Sequence, residues 1–306
     1  MLVGDNMLIK NNKLLKQSKF EKERGIQNFV EDHIPDILGD EYEFVKTEFS
    51  VGGFRIDSLA FNKETKSFII IEDKNVKNKS LVDQGLTYLK LLRDRKSDFI
   101  LEYNKIKNKN YNIDDIDISQ SKVLFFSPYY NDYQIYASDY QNIPFELYKV
   151  TKYEDDIVDI EKIERTSKLK FDDNIFKELS SENENDEIKV YTEEDHANYS
   201  NENIKELYEE LKQRILELGD IDIVVKKVYI AFKGRRNIVD VLFYKEKLQV
   251  FINMKKGKLS DPFNVTRDIS NVGHLGNGDY SVDLYKMEDI DRVMPLIKQS
   301  LEINKK

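Results

Sequence analysis

Residues 54–92 read FRIDSLAFNKETKSFIIIEDKNVKNKSLVDQGLTYLKLL. Within them Asp57 precedes Glu72 and Lys74, which stand two residues apart, and Gln84 precedes Tyr88 by four. Side chains alternate faces along a strand, so in the run that opens Phe68-Ile69-Ile70-Ile71 the side chains of Glu72 and Lys74 share a face. Asp73 points the other way. The turn residues Asn62, Lys63, Glu64 and Thr65 join this run to the strand carrying Asp57, which predicts a hairpin. Two carboxylates and one ammonium then converge across it, and such a trio can hold one divalent metal ion and one activated water.

The residue types answer separate needs of phosphodiester hydrolysis. Charge grows on the phosphoryl and leaving oxygens of a substrate that is already anionic. Hard oxygen ligands such as Asp57 and Glu72 hold Mg²⁺ or Mn²⁺ and leave the other positions to waters and substrate oxygens. The backbone carbonyl of Asp73 is a further ligand candidate. Lys74 is a compact cation that can orient the attacking water or neutralise developing charge. A purely structural reading makes Asp57 a turn-flanking carboxylate, Glu72 and Lys74 a solvated ion pair, and Gln84 and Tyr88 the polar edge of a helix packed through Leu81, Leu89 and Leu92. It explains each residue singly but not their order.

With these residues in place, Asp57…Glu72-Asp73-Lys74 resembles the motif of the PD-(D/E)XK nucleases, with Ile56-Asp57 where that pattern has Pro-Asp. Gln84-x-x-x-Tyr88 is similar to the helix motif that follows it in RecB-like members. The segment 20–88 resembles most an uncharacterised microbial family of restriction-endonuclease-like proteins, with a helical acidic residue, then R-I-D, E-x-K and a Q-G-x-x-Y helix. The resemblance implies that Asp57 and Glu72 are metal ligands and Lys74 the catalytic lysine. It also implies that Glu31, or else Glu23, is the acidic residue of the first helix, and that Gln84 and Tyr88 shape the site from the helix behind it.

Composition sets outer limits. The 306 residues include no Cys, which excludes disulfides, thiolate zinc sites and cysteine nucleophiles, and only three histidines, His33, His196 and His274, far apart in the chain. No run of about 18 apolar residues occurs and residues 1–16 lack the pattern of a cleaved leader, so the reading is a soluble, cytoplasmic protein with no membrane partner. The net charge of −9 lies wholly in residues 151–200, with 16 acidic and 7 basic side chains. Residues 1–150 hold 22 basic and 24 acidic side chains and residues 201–306 hold 19 and 17, so both flanks are near neutral. Local clusters can still meet a polyanion: Lys74, Lys77 and Lys79, and Arg93, Arg95 and Lys96.

Periodicity predicts a first helix over residues 20–38, with Gly39 as its stop and Pro35 perturbing its last turn. Strands follow around 42–49, at Asp57 and at 68–74, then a helix over 80–93, a polar stretch at 104–120, and strands at 122–127 and 145–151. This αβββαβ order predicts an α/β domain with a restriction-endonuclease-like mixed sheet over residues 1–166. Tyr129, Tyr130, Tyr133 and Tyr136 could stack unpaired bases or cover a sheet edge. Residues 167–197 read as an acidic linker, SSENENDE being its plainest part.

A smaller α+β domain is expected over 198–306: a helix over 204–218, strands at 221–232, 237–245, 247–254 and 280–285, and a final helix over 287–301. RDISNVGHLGNGDYSV, with Arg267, Asp268, Ser270, Gly273, His274, Gly276, Gly278 and Asp279, resembles the signature of a C-terminal domain of unknown function found behind nuclease-like domains. Its Gly-x-x-Gly-x-Gly could bring backbone amides close to a phosphate, with Arg267 assisting. The reading taken from the whole chain is a Mg²⁺- or Mn²⁺-dependent nuclease acting on nucleic acid, DNA in the first instance, with a homodimer left open. Its rival is a catalytically silent nucleic-acid or nucleotide binding protein on the same fold; an interaction protein with a tethered regulatory domain is a third.

Overall fold

The computed structural model describes residues 8–74, 81–140, 142–164 and 188–304. Lys77, Lys79 and most of the acidic stretch lie outside the described residues. The chain forms two compact units, residues 1–190 and 191–306.

The first unit opens with three short strands, β1 (Ile9–Lys10), β2 (Lys13–Leu14) and β3 (Gln17–Ser18). The helix expected over 20–38 is two helices, α1 (Glu23–Asp32) and α2 (Ile34–Leu38). Pro35 lacks an N–H and crowds the turn before it, and His33 leaves helical geometry at φ −119° and ψ 18°. Then β4 (Tyr42–Val51), β5 (Phe54–Asn62) and β6 (Ser67–Asp73) run as an antiparallel meander. The chain crosses over through α3 (Leu81–Asp94) and α4 (Lys96–Lys107) to β7 (Lys122–Ser127), which lies parallel to β6. A shorter crossover through α5 (Asp132–Ser138) leads to β8 (Phe145–Tyr153), parallel to β7. With β9 (Val158–Lys162) and β3 both antiparallel to β8, the result is a seven-stranded mixed sheet, in the order β3-β8-β7-β6-β5-β4 with β9 also on β8.

Why β6 is central is written in its composition. All seven of its residues are buried, as a strand covered on both faces requires. Phe68 and Ile70 join Leu59, Phe61, Phe125 and Phe145 under α3 and α4, while Ile69 and Ile71 pack with Leu124 and Phe126 against Ile26, Val30 and Ile34 of α1 and α2. The alternation carries on to Glu72 and Asp73, so the last turns of the sequence pattern decide which layer each carboxylate meets. α4, over residues 96–107, was not expected: it lies beyond the helix predicted over 80–93 and runs into the stretch predicted as polar from 104.

In the second unit, the stretch read as a linker is partly structured: Glu193–Ala197 form α6, capped by Thr192, whose Oγ1 accepts from Asp195 N–H. His196 of α6 is buried and donates from Nε2 to the carbonyl of Lys226 (2.7 Å). Helix α7 (Glu202–Leu216) precedes β10 (Asp222–Val225), β11 (Ile230–Lys233), β12 (Asn237–Phe243), β13 (Leu248–Ile252), β14 (Arg267–Asp268) and β15 (Tyr280–Leu284), and α8 (Met287–Asn304) ends the unit. The single strand expected over 221–232 is a hairpin of β10 and β11, closed by Lys226 N–H donating to Tyr229 O (2.9 Å). The six strands form one antiparallel sheet, in the order β10-β11-β12-β13-β15-β14, separate from that of the first unit. One face packs Phe232, Val239, Val241, Val250 and Val282 against α7 and α8. No helix among the described residues is long and apolar enough to cross a membrane.

Candidate active site

The strands β5 and β6 part company at Asp57. Their register pairs Ser58 with Ile71, and one step further the N–H of Asp73 is accepted by the Asp57 carboxylate, Oδ2 at 3.1 Å, in place of a backbone carbonyl. On the other side β6 stays attached, because the N–H of Lys74 donates to Phe126 O of β7 (2.8 Å). A fork therefore opens between β5 and β6 where the polar residues of the motif stand.

Glu72 and Lys74 face into this fork on the α3 side. Glu72 is only 2% exposed, and its Oε1 accepts from both Lys74 Nζ and Gln84 Nε2. Gln84 also reaches the Tyr88 hydroxyl (2.8 Å), which in turn donates to Arg55 O (3.0 Å) at the start of β5. The four-residue spacing of Gln84 and Tyr88 on α3 places both on one helix face, as that face requires. Lys74 Nζ lies 3.8 Å from Asp57 Oδ2 and 3.8 Å from Glu23 Oε1. Asp57, Glu72 and Lys74 are thus brought together by the hairpin.

The acidic residues of α1 divide. Glu23, in its first turn, is the one that reaches Lys74, whereas Glu31 sits behind Asp57 and accepts from Ser58 Oγ (2.5 Å) and Gln27 Nε2 (3.0 Å). Gln27 Nε2 also lies 2.7 Å from the Asp57 carbonyl. Gln27 and Ser58 were not singled out in the sequence. The signal was present, since Glu23, Gln27 and Glu31 recur at four-residue intervals and so line one face of α1.

Electrostatics at the fork follow from burial. The Glu72 carboxyl is pushed up to about 7 by burial and then by Asp57, with Lys74 opposing. Asp73, on the other face and fully buried, is held well above the usual carboxylate range by burial, Asp57 and Glu72. Burial alone would lower the Lys74 ammonium, but Glu72, Asp57 and Glu23 raise it on balance, so the lysine stays charged.

Three buried carboxylate oxygens here have no hydrogen-bond partner among the described residues: Glu72 Oε2 and both oxygens of Asp73. An unpartnered buried carboxylate oxygen is costly, and a cation is one way to satisfy it. Among the described residues no group of three or more His, Asp or Glu side chains is placed to hold a metal ion. Mg²⁺ does not need one, for it keeps several waters and is usually held by one or two carboxylates together with substrate oxygens. The hard donors Asp57 and Glu72, with Glu72 Oε2 unspent, fit that habit. The Asp73 side chain lies on the opposite face from Glu72, away from the Asp57–Glu72 pair.

The five positions of the second unit considered for ligand binding lie apart from one another in role. Arg267 is exposed, 3.9 Å from Asp283 Oδ2. His274 is exposed, with Nδ1 2.9 Å from the Val272 carbonyl and its ring stacked on Phe251. A side chain at Gly276 would collide with the Phe251 ring, and one at Gly278, whose φ is +89°, with the backbone of Ile252 and Asn253. Gly273 meets nothing nearby. The loop is pinned by Asn277, which donates from its backbone and its side-chain amide to the buried Asp240 (2.6 and 2.7 Å). Packing of the loop onto the sheet thus accounts for two of the three glycines.

Residues 193–304 match a family described as a domain of unknown function, DUF5655. No solved structure matches the chain. An uncharacterised protein of Haemophilus influenzae strain Rd is 43% identical over 294 residues, which span 94% of this chain and 95% of that relative. At that identity over nearly the whole of both chains, the protein belongs to the same family as this Haemophilus influenzae protein.

Proposed function

We propose that the first unit is a metal-dependent phosphodiesterase of the PD-(D/E)XK type acting on nucleic acid, on a restriction-endonuclease-like sheet. One observation carries the reading. At the fork, Glu72 spends Oε1 on Lys74 and Gln84 while Oε2 stays buried and has no hydrogen-bond partner among the described residues. The supporting weight lies in the combination, an unspent buried oxygen on a carboxylate that shares Lys74 with Asp57 and is held by Gln84.

Asp57 and Glu72 would hold Mg²⁺ or Mn²⁺, which when bound supplies charge neutralisation and a water of lowered pKa. The chain's own residues do the rest. Lys74, charged and only 12% exposed in its side chain, sits where it can meet a phosphoryl oxygen as charge develops there. Gln84 fixes the Glu72 rotamer, and Tyr88 fixes Gln84 by bridging it to the β5 backbone. Gln27 donates to the Asp57 carbonyl and Glu31 accepts from its neighbour Ser58, so the backbone at Asp57 is held before any substrate arrives.

The test is cleavage of labelled single-stranded and duplex DNA and RNA with Mg²⁺, Mn²⁺ or EDTA. Cleavage should require metal. Lys74→Met should lower the rate by about 10²-fold or more, as loss of a preorganised charge does. Asp57→Asn should abolish it while leaving an acceptor for the Asp73 N–H, so that the fold survives; Asp57→Ala would leave that amide unpaired at about 1–3 kcal/mol. A wild-type protein that binds nucleic acid but cleaves none with either metal would support the silent binder instead. Variants as active as wild type would remove the site.

A further inference from the structure

The sheet end at the fork carries more than the polar cluster. Because β5 runs antiparallel to β6 and β7 parallel to it, the start of β5 and the ends of β6 and β7 lie together. Phe54 and Arg55, at that start, are both exposed, Phe54 by 49%. On the other flank Lys74 is bonded to Phe126, and Tyr129 follows only three residues later, within about 11 Å of chain. Tyr129 is 50% exposed, Tyr133 71% and Tyr136 74%.

These rings are held out by their surroundings. Tyr130 is the anchor, donating to the Phe125 carbonyl (2.6 Å) beneath the sheet end. Asn131 and Gln134 cap α5 reciprocally, and Gln134, Ile135 and Ser138 turn inward. Helical geometry then sends Tyr133 and Tyr136 outward on one face, Cβ atoms about 5–6 Å apart.

We propose that Phe54, Tyr129, Tyr133 and Tyr136, with Arg55, form a stacking rim for unpaired bases, so that the substrate is a nucleic acid presenting a single strand to the fork. The inference rests on the phosphodiesterase reading of that fork. Bases present π-faces whatever their sequence, and stacking on aromatic rings needs no charge. That suits residues 1–150, whose 22 basic and 24 acidic side chains offer little net attraction for phosphates. A duplex keeps its bases stacked on one another and gains nothing from such a rim.

The experiment is fluorescence anisotropy in EDTA with a labelled single-stranded oligonucleotide and its blunt duplex, as DNA and as RNA. It compares wild type, Tyr133→Ala/Tyr136→Ala and Tyr133→Phe/Tyr136→Phe, with metal-dependent cleavage measured in parallel. Wild type should prefer the single strand with a shallow salt dependence. The alanine pair should lose about fivefold or more per ring on the single strand, with duplex binding unchanged, and the phenylalanine pair should behave as wild type. Equal single-strand affinity in the alanine pair, or a preference for duplex, overturns the rim. Cleavage that persists in that case leaves the nuclease reading standing, whereas ring-dependent binding with no cleavage supports the rim and removes the nuclease.

Discussion

At Glu72, burial and the Asp57 carboxylate oppose ionisation while Lys74 favours it. The folded-state value of about 7 lies above the ordinary 4.5, so between these limits the folded protein keeps a proton that the unfolded chain releases. Stability must then fall as pH rises through that window, and Asp73, shifted in the same direction, adds to the fall. Thermal melts of the metal-free protein from about pH 5 to about pH 7.5 should show this decline, since each kcal/mol moves the midpoint of a 150–250-residue unit by about 2–4 °C. Glu72→Gln should flatten the decline and raise the midpoint at the upper end by a few degrees, while losing cleavage. An unchanged pH slope in the variant would mean that Glu72 titrates normally.

At the scale of elements, the sequence was most legible where burial is total. The run from Phe68 to Asp73 could be placed because a strand covered on both faces has one reading, and the hairpin turn fixed its partner. α4 was not legible. Its buried residues Phe99, Ile100 and Tyr103 share the helix with exposed Leu101 and Ile106, which blurs the helical period. Gln27 escaped for another reason: its four-residue spacing from Glu23 and Glu31 reads equally well as a solvated helix face. α3 shows what a motif glycine is for. A Cβ at Gly85 would lie 2.5 Å from Phe145 Cζ and 3.0 Å from Phe125 Cζ, both rings fully buried, so the helix rests directly on the sheet beside Gln84. Gly85→Ala gains about 1 kcal/mol of helix propensity but overpacks at a cost of about 1–3 kcal/mol. The net expectation is a lower melting point and a larger loss of cleavage than of stability, because α3 carries Gln84 and Tyr88. Wild-type activity in a folded Gly85→Ala protein would show that α3 need not sit so close.

At the scale of the whole molecule, the boundary between units has consequences for dissection. Lys189 N–H donates to Ser119 O (2.8 Å) and Ile188 packs against the α3 side of the first core, so residues just before 190 belong with the first unit although they follow the acidic stretch. A fragment of residues 1–190 should melt higher than one of residues 1–166, and both should keep metal-dependent cleavage. Residues 191–306, with their own sheet and helices, should fold alone. Circular dichroism melts and cleavage assays on the three fragments check this, and a 1–190 fragment without a cooperative transition would contradict it.

The Asp57 carboxylate that closes the β5–β6 ladder has a consequence for inheritance. The same oxygen that accepts the Asp73 N–H also lies beside Lys74, so one side chain answers to two selective pressures. Lys74 answers to one, since Glu72 can take up a proton when its cation is gone. If the fork is the phosphodiesterase site proposed above, then in a lineage released from that task drift would erase Lys74 first and spare Asp57. Among relatives, the lysine is therefore the informative position for telling a working descendant from a retired one.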